Sequence, residues 1–188
     1  GSAYYSMERF QQAVDDLEKA VSIQRGGAKE TLQLGIAHFK LGNMAEAGRY
    51  LELAVSLSPN SAEAKRFLSR TQYVEALTAI QDQKYPQAIK LLQEFVGKNP
   101  TDGEAWYNLG LAQLFAKDLN SSEKSLKQSA SLSPEIWEVF DRLGYLYEMK
   151  KNFQESLGNY RKALQLNQDP KIAESIERIQ ERIRRANS

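Results

Sequence analysis

Apolar positions fall at helical spacing along almost the whole chain, and one short arrangement of them returns at a nearly fixed interval. Leu34-Gly35, Leu109-Gly110 and Leu143-Gly144 each precede a small residue (Ala47, Ser122, Ser156) by thirteen positions counted from the Leu, with a bulky residue four further on (Leu51, Leu126, Tyr160). The separation is 34 residues from Gly110 to Gly144, from Ala13 to Ala47 and from Ala88 to Ser122. Each repeat predicts two helices, A then B, neither able to bury its apolar stripe alone. The Gly after Leu and the Ala or Ser on helix B are small because two helix axes must approach closely there, while Leu, Tyr and Phe fill the space between layers. Pro59, Pro100 and Pro134 close three units, since proline lacks an amide proton and crowds the preceding turn. The segments Ser58-Pro59-Asn60-Ser61 and Asn99-Pro100-Thr101-Asp102 then offer N-cap oxygens to the next helix A.

The layout follows from the spacing. Residues 3–27 read as a truncated first unit, with Tyr4 ending helix A and Ala13, Leu17 and Ala20 marking helix B. Residues 28–61 are a full unit. Residues 62–102 carry seven extra residues, because Ala47 to Ala88 is 41 rather than 34. Residues 103–136 and 137–169 are two further units. Seven residues are about two helical turns, about 10 Å of rise, and leave the helical face nearly unrotated. One long helix is therefore expected over 61–82, separating an N-terminal block from a C-terminal one. In the last segment, 170–186, Ile172, Ile176, Ile179 and Ile183 share one face. That stripe predicts a capping helix rather than a membrane-surface helix, whose polar face would not mix Glu174, Glu177 and Glu181 with its arginines. Gly1-Ser2 reads as a cleavage scar and is left outside the first unit.

Trp106-x-x-Leu109-Gly110 with Ser122, Leu126 and Pro134 resembles the tetratricopeptide repeat. So do Thr31-x-x-Leu34-Gly35-x-x-His38 with Ala47, Leu51, Ala54 and Pro59, and Phe140-x-x-Leu143-Gly144-x-x-Tyr147 with Ser156, Tyr160 and Ala163. The resemblance implies an all-α fold, a right-handed solenoid of antiparallel helix pairs with one elongated helix at 61–82 and a C-terminal capping helix. It also implies a non-catalytic protein-interaction scaffold or adaptor. In such proteins certain helix A positions face a concave groove that touches ligands. Carried across, that register selects Leu32, Ile36 and Phe39 in the second unit, then Arg66, Arg70, Tyr73, Leu77 and Ile80 on the long helix. It goes on to Tyr107, Leu111, Leu114 and Phe115, and finally Asp141, Tyr145 and Met149.

The selection is apolar for a face open to water, and contiguous exposed apolar patches mark interaction sites. The expected partner is a protein or peptide segment with an apolar centre. Its direction would be set by Lys29, Lys40, Arg66 and Arg70 toward one end and Glu104, Glu138, Asp141 and Glu148 toward the other. The alternative is a homo-oligomer assembled through the groove or the N-terminal edge. Family members that grip acidic chaperone C-termini use a clamp of Lys, Asn and Arg. Here Asn108 and Arg142 fall on clamp places, but Tyr73, Leu77 and Glu138 replace the rest. The carboxylate clamp is therefore not expected.

Composition narrows the chemistry further. The 188 residues are 41% hydrophobic and 26% charged with a net charge of +1, so no global field draws nucleic acid or anionic lipid. There is no cysteine, which removes disulfides, thiol catalysis and thiolate metal sites. No apolar run approaches the ~20 residues of a membrane span. The one histidine, His38, takes a place the repeat usually gives to Tyr and, with no cysteine and no carboxylate at metal-ligand spacing, reads as a packing residue. Glu46 with Arg49 and Glu174 with Arg178 read as solvated helix-face pairs. Arg182, Arg184 and Arg185 are the only dense basic cluster, explained by the helix dipole at a C-terminus. No enzyme, cofactor, metal, nucleic-acid partner or direct membrane insertion is expected. The composition is as compatible with a cytoplasmic as with an exported protein.

Overall fold

The computed structural model describes the backbone of residues 2–24 and 27–186, with side chains at 7, 9–19 and 27–186. Ten helices occupy the described residues: α1 (Ser2–Gln24), α2 (Ala28–Leu41), α3 (Met44–Leu57), α4 (Ala62–Gln81), α5 (Tyr85–Lys98), α6 (Gly103–Phe115), α7 (Leu119–Leu132), α8 (Trp137–Met149), α9 (Phe153–Leu166) and α10 (Pro170–Ala186). The 20 residues of α4 are unbroken, against 13 in α6 and 14 in α5. The chain divides into two compact units, Gly1–Ala76 and Leu77–Ser188, with the division inside α4.

The turn from helix A to helix B is built the same way four times. Gly42, Gln83, Lys117 and Lys151 all take a left-handed backbone, with φ of 83°, 61°, 64° and 58°. The amide that follows each donates back to the carbonyl five residues earlier: Asn43 to His38 at 3.0 Å, Lys84 to Ala79 at 2.8 Å, Asp118 to Gln113 at 2.9 Å and Asn152 to Tyr147 at 2.9 Å. These are Schellman closures, which satisfy carbonyls that the helix end leaves open. Only one of the four uses glycine, so the motif is not visible as a glycine pattern.

The first unit departs from expectation. A helix A ending at Tyr4 is replaced by the continuous α1. Every other A-to-B turn carries a start signal for helix B: Gly42-Asn43, Pro86 in the first turn of α5, Asp118, or Asn152. The equivalent place in α1 holds Met7-Glu8-Arg9, three good helix formers, and the helix runs through. The side chains of Tyr4 and Ala20, and residue Gly1, lie outside the described residues.

Close approach between A and B helices explains the small residues. A Cβ on Gly35 or Gly110 would stand 2.7 Å from Leu51 or Leu126 Cγ, and one on Gly144 would stand 2.7 Å from the Tyr160 ring. The partner position is also used for bonding: Ser122 Oγ donates to the Gly110 carbonyl and Ser156 Oγ to that of Gly144, each at 2.8 Å. Ser61 Oγ and Asp102 Oδ1 cap α4 and α6 by accepting from the Ala64 and Ala105 amides at 3.2 and 2.9 Å.

Within the first unit, Val14, Leu34 and Ala37 form one buried cluster and Ala47, Leu51 and Phe67 another. In the second unit one cluster runs from Leu114 and Leu126 through Leu143, Leu146 and Tyr160 to Ile172 and Ile179 of α10, and Leu92, Val96 and Leu109 are buried as well. Glu148 on α8 fastens α10 from the polar side. It accepts from Arg178 Nε and Nη2 at 3.3 and 3.0 Å, with Arg182 3.5 Å away. Arg178 therefore pairs across helices rather than with Glu174.

Candidate functional site

In the first unit, Leu32, Ile36 and Phe39 on α2 are half-buried and pack against the Ala47–Leu51–Phe67 cluster. Phe39 meets Phe67 edge-on, with ring centroids 5.7 Å apart. The exposed Arg70 and Arg66 lay their guanidinium groups over these two rings, 5.5 Å from Phe39 and 5.4 Å from Phe67. Such stacking covers part of the apolar surface and holds two cations beside it. Tyr73, next along α4, is half-buried.

In the second unit, Leu77 and Ile80 on α4 and Tyr107 and Leu111 on α6 are half-buried, while Phe115, Tyr145 and Met149 are 43%, 43% and 39% exposed. Phe115 packs on Tyr85, with ring centroids 5.5 Å apart. Leu114 does not share this face. It is 2% exposed and belongs to the core, because it lies about 100° around the helix from Phe115.

A polar group borders the patch. Arg142 donates to Tyr107, and its Nη1 lies 3.5 Å from Asp141 Oδ2. Burial pushes the Asp141 carboxyl above its ordinary value despite Arg142, and burial likewise raises the Tyr107 hydroxyl. Arg142 Nε is buried without a partner. Glu148, expected to add to the acidic end, is instead occupied by α10 and accepts from the Tyr160 hydroxyl at 3.3 Å. Of the acids expected at that end, Glu104, Glu138, Asp141 and Glu148, the last is thus committed to α10.

His38 is buried and stacked on Tyr50, with ring centroids 5.4 Å apart and planes 5° from parallel. Glu18 Oε1 lies 3.9 Å from Nε2, although neither ring nitrogen makes a hydrogen bond. Arg49 lies over the Tyr50 ring at 4.7 Å. Among the described residues no three His, Asp or Glu side chains gather at metal-binding geometry, and no helix is long and apolar enough to cross a membrane.

Paired helices closing on Gly–Leu and Gly–Tyr contacts are the construction of the tetratricopeptide repeat, and two profiles of that family match residues 1–62 with 73–135, and 138–170. The chain belongs to the tetratricopeptide repeat family. Among curated proteins it is 25% identical to Hsp70-Hsp90 organizing protein 3 of Arabidopsis thaliana, over all of this chain but 31% of that protein. It is also 25% identical to DnaJ homolog subfamily C member 3 of Gallus gallus, over 93% of this chain and 36% of that protein. The chain thus spans about a third of the length of these relatives. Among solved structures, MamA AMB-1 superposes with a TM-score of 0.63 at 26% identity, covering 86% of this chain and 84% of the other. MamA 41-end from Desulfovibrio magneticus RS-1 gives 0.61 at 20% identity, with 88% and 93% covered.

Proposed function

We propose that this tetratricopeptide chain is a protein-interaction scaffold whose A helices take an apolar segment of a partner protein. Family membership and the likeness to Hsp70-Hsp90 organizing proteins support the scaffold role. The observation that carries the finer reading is the exposure of Phe115, Tyr145 and Met149 on α6 and α8. Large side chains left this open on the same type of helix, beside half-buried Tyr107 and Leu111, are the mark of an interaction surface. In the first unit Leu32, Ile36 and Phe39, flanked by Arg66 and Arg70, form a second apolar patch with a cationic border.

The partner is a peptide or helix with an apolar centre, carrying acidic residues where it meets the arginines. An acidic C-terminus held by a carboxylate clamp fits less well. Asn108 donates to the Glu104 carbonyl of its own helix at 3.1 Å, Arg142 is engaged with Tyr107 and Asp141, and Tyr73, Leu77 and Glu138 stand at the other clamp places. No catalytic step is assigned.

A displayed random-peptide library selected on the protein tests the reading. Apolar-centred sequences should be enriched, and the Phe115→Ala/Tyr145→Ala/Met149→Ala variant should lose them while keeping its far-UV circular dichroism. Unchanged selection by that variant would remove the second-unit patch from the site. Light scattering over a concentration series tests the self-assembly alternative. A mass that rises with concentration, and falls back in the same variant, would assign the patch to a second copy of the chain.

A further inference from the structure

A cavity of about 610 Å³ lies between α5, α6 and α7, away from the patches described above. Trp106, Leu109 and Gln113 of α6 line it. At about 100° per residue they occupy the side of α6 roughly opposite Tyr107, Leu111 and Phe115. Val96 and Pro100 complete an apolar wall. The Trp106 indole N–H donates to the Pro100 carbonyl at 2.9 Å, which fixes the ring against that wall.

The sequence explains why the space stays open. Gly97 lines the cavity from α5, and a Cβ placed on it would meet nothing within 4 Å. Glycine inside a helix is disfavoured, and here no neighbouring atom requires it. Across the cavity α7 presents Ser121 and Ser125, again small.

The polar residues on the lining are Gln93, Gln113, Ser121, Lys124 and Ser125, and Lys124 carries the one charge among them. Gln113 is 3% exposed, and its carboxamide oxygen accepts from Ser125 Oγ at 2.8 Å. That bond leaves Nε2 as the donating end of a buried side chain on the cavity wall. Lys124 and Gln93 stand at the mouth, and no carboxylate lines the cavity. Two acids of the α7 segment have partners of their own; hydrogen bonds from Ser121, and after them the charge of Lys124, hold the Asp118 carboxyl below its ordinary value. Asp118 Oδ1 caps α7 by accepting from the Ser121 amide at 3.1 Å, and Glu123 is held by Lys127, Lys150 and Tyr147.

Size and surroundings identify the kind of occupant. The volume falls within the roughly 300–1,000 Å³ of small-molecule sites. Among the lining residues Gln93, Gly97, Pro100 and Lys124 are exposed and open the cavity to solvent. We propose that this cavity binds a small aromatic carboxylic acid, its ring against Trp106, Val96 and Leu109 and its carboxylate received by Lys124 Nζ and Gln113 Nε2.

Calorimetric titration with naphthalene-1-acetate and its neutral analogue naphthalene-1-ethanol tests this. The acid should bind saturably with one site per chain, and the alcohol about tenfold more weakly, the loss expected for a charge-assisted hydrogen bond. Lys124→Gln should weaken the acid by a similar factor and leave the alcohol unchanged, whereas Lys90→Gln, outside the lining, should change neither. Gly97→Leu projects into the cavity and should weaken binding of both by a similar factor while the far-UV spectrum is preserved. If that variant fails to fold, the selectivity change in Lys124→Gln decides the matter. The proposal is overturned if millimolar acid gives no saturable heat, if the alcohol binds as tightly, if folded Gly97→Leu binds both as tightly as the parent, or if Lys124→Gln keeps the preference for the acid.

Discussion

A Cβ added at Gly144 would stand 2.7 Å from the Tyr160 ring, whereas one added at Gly97 would meet nothing within 4 Å. Both glycines are helical, so alanine removes the same backbone-entropy penalty at each, and the surroundings decide the sign. Tyr160 is 2% exposed and has no room to retreat. Gly144→Ala is expected to cost roughly 1–3 kcal/mol from overpacking, and Gly97→Ala to stabilise by about 0.4–1 kcal/mol. Urea denaturation of the two variants checks both signs. Equal shifts would mean that close approach does not explain the glycines of the repeat. At this scale the sequence was most legible where spacing encodes contact, as at Gly35, Gly110 and Gly144. It was least legible where a side chain does two things. Ser122 and Ser156 read as merely small, yet each also bonds a glycine carbonyl. Leu114 and Phe115 are neighbours in sequence, and only the packing of α6 decides that the first is core and the second is open to water.

Helix lengths were legible for a simple reason: seven extra residues preserve the helical face, so the insertion had to lengthen α4 rather than break it. The α1 turn was not, because period alone places a turn where Met7-Glu8-Arg9 supply no chemistry to make one. Pairing between elements was also hidden. Glu148 reads as a groove acid on α8 and is instead the anchor of α10, a partner 30 residues away in sequence. The α7–α8 contact carries a similar device in Glu123, which receives Lys127 at 2.7 Å, Lys150 at 2.5 Å and the Tyr147 hydroxyl at 2.8 Å. The two ammonium groups hold its carboxyl down to about 2, from an ordinary 4.5. A carboxyl lowered in the folded state contributes stability above its unfolded value and loses that contribution as the pH falls toward the folded one. The Glu123 contribution is therefore complete above about pH 4.5 and disappears progressively toward pH 2. Glu123→Gln should be less stable than the parent at pH 7, with the difference shrinking across that acid window. A pH series of urea midpoints measures it, and a difference constant from pH 7 to pH 2 would contradict the assignment.

The two units, Gly1–Ala76 and Leu77–Ser188, carry separate cores of different quality. The second contains a continuous apolar cluster from Leu114 to Ile179, reinforced by Glu123 and Glu148, with one buried polar atom lacking a partner, Arg142 Nε. In the first, two small clusters are accompanied by three such atoms, Thr31 Oγ1 and both ring nitrogens of His38. Each unsatisfied buried group costs about 1–3 kcal/mol, a large share of what a few buried side chains supply. Repeat proteins add stability from neighbouring layers, so a weak end need not unfold together with a strong one. The chain has an internal reporter for the difference, because both of its tryptophans, Trp106 and Trp137, lie in the second unit. Far-UV circular dichroism follows all ten described helices, while tryptophan fluorescence follows only the second unit. In urea the dichroism should begin to fall at a lower concentration than the fluorescence, leaving a window in which the second unit stays folded after the first has melted. Superimposable curves would instead mean that α4, which belongs partly to each unit, couples them into a single cooperative transition.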